Sequence, residues 1–185
     1  MLKLYGGARS RASIVHWYLE ELNVPYEFVL LDMAVGKHQQ SEFLAINPMG
    51  KVPAIVDGDF QLWESGAIIL YLAEKYGNMP ENRAEKSIMT QWVLFANSTL
   101  ATGLFVEASR EKETPQLLTP LNKMLANQPY ILGTEFTVAD IAVGSMLNYA
   151  TMMLPVDFNP YPAVLDYIKR INERSAFQKT LVILI

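Results

Sequence analysis

Residues 2–5 (Leu-Lys-Leu-Tyr) alternate apolar and polar and predict a short strand. Gly6-Gly7 breaks the alternation. Val15, Tyr18, Leu19 and Leu22 then recur at i, i+3, i+4 and i+7, one face of a helix. Asn23-Val24-Pro25 stops that helix. Residues 26–31 are aromatic and branched and predict a second strand. Strand, helix and strand make a βαβ unit, for which a right-handed parallel arrangement is expected. Residues 41–44 suit a short helix. Residues 52–56 and 60–63 flank Asp57-Gly58-Asp59 and predict a hairpin. Ile69, Leu72, Ala73 and Tyr76 give a further helical face.

Beyond that point the pattern is helical only. Gly77 to Glu81 holds a glycine, an asparagine and a proline, so residues 78–84 read as a linker between parts 1–77 and 85–185. Ile88, Trp92, Phe95 and Thr99 begin a long helix, and a shorter one fits residues 116–126. The stretch 111–114 between them is brief. Thr137 with Asp140 three residues later, before an apolar run, has the form of a capping box. Residues 161–174 place Val164, Ile168 and Ile171 on one face.

The chain has 185 residues, room for one domain or two small ones, and 51% are apolar, enough for a substantial core. Net charge is −4. Lys169, Arg170 and Arg174 are the nearest approach to a basic block and suit a solvated helix face, so nucleic acid is not an expected partner. There is no cysteine, which excludes disulfides, thiolate metal sites and redox chemistry by a protein thiol. Two histidines, His16 and His38, do not make a multi-histidine metal site, and no metal is expected. His16 falls inside the first helix and suits packing. The N-terminus lacks the apolar stretch of a signal peptide. The longest apolar runs, 67–73 and 181–185, are too short for a bilayer. The expectation is a soluble cytoplasmic protein with no membrane partner.

The candidate chemistry lies in Asn47-Pro-Met-Gly-Lys-Val-Pro53, followed by Glu64-Ser65. Pro53 has no N–H and tolerates a cis bond, which at a strand start would leave the Val52 N–H and C=O for a ligand backbone; Pro53 could equally begin an edge strand. Ser65 suits an N-cap, and the first N–H groups of the helix it opens could hold a carboxylate. Glu64 could pair with an ammonium group. Lys51 could bind a terminal carboxylate by a charge-assisted hydrogen bond, and His38 could do the same if its loop turns inward.

These residues resemble, position by position, the glutathione-binding half of the glutathione transferases; residues 2–5 and Phe136-Thr-Val-Ala-Asp-Ile141 are also typical of that family. The resemblance implies an α/β thioredoxin-like N-terminal domain followed by an all-α helical domain. It implies a cis Val52-Pro53 bond, a Val52 backbone paired with the cysteinyl moiety, and Glu64-Ser65 on the γ-glutamyl end. Glutathione is then a co-substrate and no cofactor is implied. The second substrate is a small hydrophobic electrophile, and the assembly is a homodimer. Gly66 departs from the many members with a basic residue there, which removes a contact across the dimer.

A glutathione thiol has a pKa of about 8.5, and lowering it by about two units requires about 2.7 kcal/mol. A hydroxyl donor, a helix N-terminus and a cation could supply this. In the family the hydroxyl is a tyrosine ending the first strand, or a serine or cysteine opening the first helix. Ser10, Tyr5, Ser13, Arg11 and backbone amides alone remain open here, with Ser10 favoured and Arg11 near the sulfur. Trp92, Phe95, Phe105, Met146, Tyr149, Met152 and Met153 could wall the electrophile pocket or fill the core. The short 111–114 stretch suggests that the pocket is open. The activity expected is conjugation of the glutathione thiolate to electrophiles, or reduction of organic peroxides. The alternative is a non-catalytic binding or regulatory module on the same fold.

Overall fold

The structure, a computed structural model, describes residues 1–77 and 79–180. Asn78 of the expected linker and the apolar run 181–185 lie outside the described residues. The described residues divide into two compact units: 1–77 with 175–180, and 79–174.

The first unit holds β1 (Leu2–Gly6), α1 (Ala12–Leu22), β2 (Tyr26–Leu30), a 3-10 turn (Lys37–Gln39), α2 (Ser41–Leu44), β3 (Ala54–Asp57), β4 (Phe60–Trp63) and α3 (Ser65–Tyr76). The sheet order is β2-β1-β3-β4. β1 and β2 run parallel, with Leu4 opposite Phe28, as the βαβ reading expects. β3 is antiparallel to both β1 and β4, with Tyr5 opposite Ala54 and Ala54 opposite Trp63. Alternation decides which face each residue serves. Leu2, Leu4 and Gly6 are buried, while Lys3 and Tyr5 on the other face are half-buried. A Cβ on Gly6 would lie 2.5 Å from that of Ala12, so glycine is what lets α1 approach β1 this closely. Gly58, at φ +63, turns the β3–β4 hairpin. The Asp57 carboxylate accepts from Tyr71 at 2.8 Å and from Lys75 at 2.5 Å, which ties the hairpin to α3. Lys75 first, and the Tyr71 and Tyr76 hydroxyls after it, hold the Asp57 carboxyl below its usual range against a smaller effect of burial.

The terminal helix α9 (Ser175–Thr180) packs on α1, with Phe177 edge-on to Trp17 at 4.9 Å and Lys179 bonded to Glu20 at 3.2 Å. The periodicity of residues 85–185 groups this helix with the helical half; its packing places it with the sheet.

His16 is 6% exposed, between the Tyr26 and Phe28 rings, and its Nδ1 has no partner. Burial lowers its pKa from 6.5, opposed by Glu20, whose carboxylate lies 4.0 Å from Nε2. The folded protein therefore favours neutral imidazole, while the unfolded chain takes up a proton. Stability is fully present above the unfolded value and declines as pH falls below it, through the lowered one. His16→Phe is expected to flatten this decline, read as urea midpoints between about pH 7.5 and about pH 5.5. An equal slope in the variant would show that other groups cause it.

The second unit holds α4 (Arg83–Phe95), a π turn (Ala96–Leu100), α5 (Ala101–Phe105), α6 (Glu107–Leu125), α7 (Val138–Met153) and α8 (Pro162–Asn172). α4 starts at Arg83, inside the stretch read as linker, because Asn82 Oδ1 accepts the Ala84 and Glu85 N–H groups. Across α4, the π turn and α5 the buried face is Val93, Ala96, Leu100 and Leu104, whereas Ile88 of the expected stripe is 45% exposed. Residues 111–114 are not a brief connection but part of α6, which runs through Pro115 and Pro120. Tertiary contacts override the two prolines. Thr114 donates to the Gly103 carbonyl at 3.1 Å, and Leu118, Leu121 and Leu125 are buried. Asn122 of α6 caps α8, accepting the Ala163 N–H at 2.8 Å. α7 is apolar on nearly all sides and buried from Val138 to Asn148, which makes it the central helix of this unit.

The capping box at its start is present. Asp140 accepts the Thr137 N–H at 2.9 Å, and Thr137 Oγ1 accepts the Ala139 N–H at 3.3 Å. Asp140 is fully buried and also accepts the Ile131 N–H at 2.8 Å and the Tyr167 hydroxyl at 3.1 Å.

Candidate functional site

Asn47 organises the loop that leads to Val52-Pro53. Its side chain is 1% exposed; Nδ2 donates to the Lys51 carbonyl at 2.7 Å, and Oδ1 accepts the Met49 N–H at 3.0 Å. Its own carbonyl accepts the Gly50 N–H at 2.9 Å. The Val52-Pro53 bond is cis. Among the described residues, no loop or turn hydrogen bond engages the Val52 backbone. β3 begins at Ala54, two residues later than the pattern suggests, so Val52 and Pro53 precede the ladder.

α3 opens one residue earlier than expected. Glu64 occupies the cap position, its carbonyl accepting the Ile68 N–H at 2.9 Å, and Ser65 is the first helical residue. The reading of Ser65 as N-cap is thereby corrected. Ser65 is 2% exposed, while Glu64 is exposed with φ +72. Ser10 lies two residues ahead of the first residue of α1. Its Oγ donates to the Gly7 carbonyl at 2.7 Å and accepts the Gly7 N–H at 3.2 Å and the Ala12 N–H at 3.3 Å. The hydroxyl is thus engaged within the local turn from Gly7 to Ala12. Arg11, exposed, is the cap residue of α1, and Ser13 is buried, its hydroxyl on the Ser10 carbonyl at 3.0 Å.

Among the described residues, Arg9, Asn23 and Glu64 are the non-glycine residues with positive φ. Asn23 ends α1 in the left-handed conformation common at helix C-termini. The other two precede Ser10 and Ser65, at the two helix starts that the sequence singled out. Such conformations cost about 1–3 kcal/mol each and persist where the surroundings impose them.

Tyr5 is placed differently. It lies on the sheet face opposite the one that meets α1, and its ring packs on Phe43 of α2 at 5.9 Å. It lines a groove of about 420 Å³ with Leu31, Lys37, Phe43 and Ile46, and no other candidate residue lines it. His38 sits in the 3-10 turn, with a buried Nδ1 that has no partner. Lys51 is exposed. Gln39, next to His38, donates through Nε2 to the Gly50 carbonyl at 3.1 Å. The sequence reading missed this bond and the structural role of Asn47; an asparagine just before Pro48 is the trace they leave in the sequence. No group of three or more His, Cys, Asp or Glu able to hold a metal occurs among the described residues.

Of the helical candidates, Met146 is core at 1% exposure, while Met152 and Met153 are 61% and 69% exposed. Trp92 and Phe95 are half-buried and stack edge-on at 5.3 Å, and Phe105 and Tyr149 are half-buried. Among the described residues, no helix is long and apolar enough to cross a membrane.

Residues 1–74 match the family description "Glutathione S-transferase, N-terminal domain", and residues 92–179 match "Glutathione S-transferase, C-terminal domain". The chain is 33% identical to glutathione S-transferase GstB of Escherichia coli over 89% of each protein. It is 31% identical to the disulfide-bond oxidoreductase YfcG of the same organism, over 98% of this chain and 95% of that one. Among solved structures, a glutathione transferase from Burkholderia graminis, with two glutathione molecules bound per subunit, superposes with a TM-score of 0.85 at 27% identity, covering 97% of this chain and 87% of that one. With its mixed four-stranded sheet followed by a helical part, the chain belongs to the glutathione S-transferase family.

Proposed function

We propose that the first unit binds glutathione and ionises its thiol for attack on small hydrophobic electrophiles. The observation that carries this reading is positive φ at Arg9, three residues ahead of α1, and at Glu64, the cap residue of α3. Strain held by the surroundings at two helix starts suits a preorganised anion site better than a structural turn.

In this reading the γ-glutamyl carboxylate meets the first N–H groups of α3 and Ser65, and its ammonium meets Glu64. The Val52 backbone pairs with the cysteinyl moiety, ahead of Pro53. Lys51 and His38 take the glycyl carboxylate. The thiolate lies near the start of α1, stabilised by the helix N-terminus, the Ser10 hydroxyl and the Arg11 charge. Ser10 must turn its proton from the Gly7 carbonyl to the sulfur. The thiolate then forms a C–S bond as the leaving group departs with its electron pair. With an organic peroxide, the thiolate takes the outer oxygen and releases an alcohol; a second glutathione expels water and gives the disulfide. The helical part from residue 85 supplies the electrophile pocket, and the protein works as a cytoplasmic homodimer.

The kinship with a disulfide-bond oxidoreductase favours a second reading, exchange between glutathione and a substrate disulfide. In a chain without cysteine every sulfur in that exchange comes from glutathione or substrate. A non-catalytic module would bind glutathione and show neither activity.

Calorimetric titration with glutathione, followed by the pH dependence of conjugation, tests the reading. Binding in the millimolar range or tighter is expected. Ser10→Ala should raise the kinetic pKa of the bound thiol by about one unit, and Tyr5→Phe should leave it unchanged. No binding at millimolar glutathione would remove the site; a shift in Tyr5→Phe alone would reassign the hydroxyl.

A further inference from the structure

The 3-10 turn that carries His38 has little to hold it. It is entered through Gly36 at φ +72, has no capping side chain and buries none of its residues. Its backbone bonds are local, from the Lys37 N–H to the Asp32 carbonyl and from the Gln39 N–H to the Gly36 carbonyl. Lys37 Nζ bonds to Gln40 within the same segment, and to no other described residue. The His38 ring is not anchored through Nδ1, which is buried without a partner.

One bond leads away from the turn. Gln39 Nε2 donates to the Gly50 carbonyl, eleven residues on, at 3.1 Å. Gly50 is suited to receive it. It sits at φ +59, and a Cβ there would lie 2.5 Å from Gln39 Nε2. Asn47 fixes the receiving loop from the other side through the Gly50 N–H and the Lys51 carbonyl. The bond thus joins the immediate neighbour of His38 to the immediate neighbour of Lys51.

We propose that this Gln39–Gly50 clasp sets the spacing between His38 and Lys51 and so gives the site its preference for a peptide ending in a glycyl carboxylate. The inference rests on the reading of the site as glutathione-binding. Gln39 is a positioning residue: its amide is committed to Gly50, and it acts on the ligand through its neighbours. The γ-glutamyl contacts lie on α3, outside the loop that the clasp holds, and Val52 is tied to Pro53 rather than to Gln39.

The test is calorimetric titration of wild type, Gln39→Leu and Gln39→Ala with glutathione and with γ-glutamylcysteine, which lacks the glycyl residue. Removing the donor is expected to weaken glutathione about five-fold, the scale of one lost hydrogen bond, and to leave γ-glutamylcysteine within about two-fold. General damage would weaken both ligands alike, and that result overturns the clasp. So would unchanged affinity for both. Failure of the wild type to bind either ligand would instead sink the glutathione reading itself, a result separable from the first two because it needs no variant.

Discussion

Asp140→Ala is expected to destabilise the protein by about 3–5 kcal/mol. The carboxylate accepts from four donors at once: the buried Ile131 N–H and Tyr167 hydroxyl, and the part-buried Thr137 N–H and hydroxyl. Tyr167 is fully buried, so its hydroxyl has no water to turn to. Each orphaned donor costs about 1–3 kcal/mol, and losing a desolvated carboxylate returns part of the sum. Burial raises the Asp140 pKa, opposed by the same hydrogen bonds. A folded pKa above the unfolded one means that the contribution is greatest at low pH and declines as pH rises through the raised value. Asp140→Asn, which keeps one acceptor oxygen, should lose less than alanine and should remove that pH term. Urea unfolding at constant m-value checks both. A loss below about 1 kcal/mol for alanine would show that the box merely decorates α7.

Glu64→Gly is expected to do two opposite things. Glutathione affinity should fall about 10- to 100-fold, since a hydrogen bond to a charged group contributes about 1.5–3 kcal/mol. Stability should hold or rise by up to about 1 kcal/mol, because glycine accepts φ +72 without a Cβ penalty while adding chain entropy to the unfolded state. Glu64→Ala should share the loss of affinity without the gain in stability. Titration with glutathione and thermal melts of the two variants separate binding from strain. If Glu64→Gly bound as tightly as wild type, the carboxylate would have no part in holding the ammonium group. If it melted well below wild type, the left-handed backbone would be a relaxed feature of the fold.

The strands and helices of the first unit were legible because their signals are local: alternation in β1, a 3.6 period in α1, and a turn at Gly58. The motif 47–53 with Glu64-Ser65 carried the family resemblance in the order of its residues. What escaped depends on contacts between distant residues. The expected helix begins only at residue 116, after Pro115, yet Thr114 and a leucine face carry α6 from Glu107 through that proline. Ile88 fits a helical stripe, but the face that is buried is set by Val93, Ala96 and Leu100, offset from it around the helix. Ser65 looked like the cap because serine caps well; the carbonyl of Glu64 closes the first turn instead. The Gln39–Gly50 bond spans eleven residues and has no periodic signature.

The attachment of α9 to α1 has a practical consequence for anyone dissecting the chain. Trp17, 1% exposed, is covered in part by Phe177. A fragment stopped at residue 77 would keep the four-stranded sheet and every candidate glutathione contact, yet would expose an indole on α1. Excising the sheet domain therefore calls for splicing residues from 175 onward back onto it, or for a polar replacement of Trp17. A plain truncation would tend to self-associate through that bared ring.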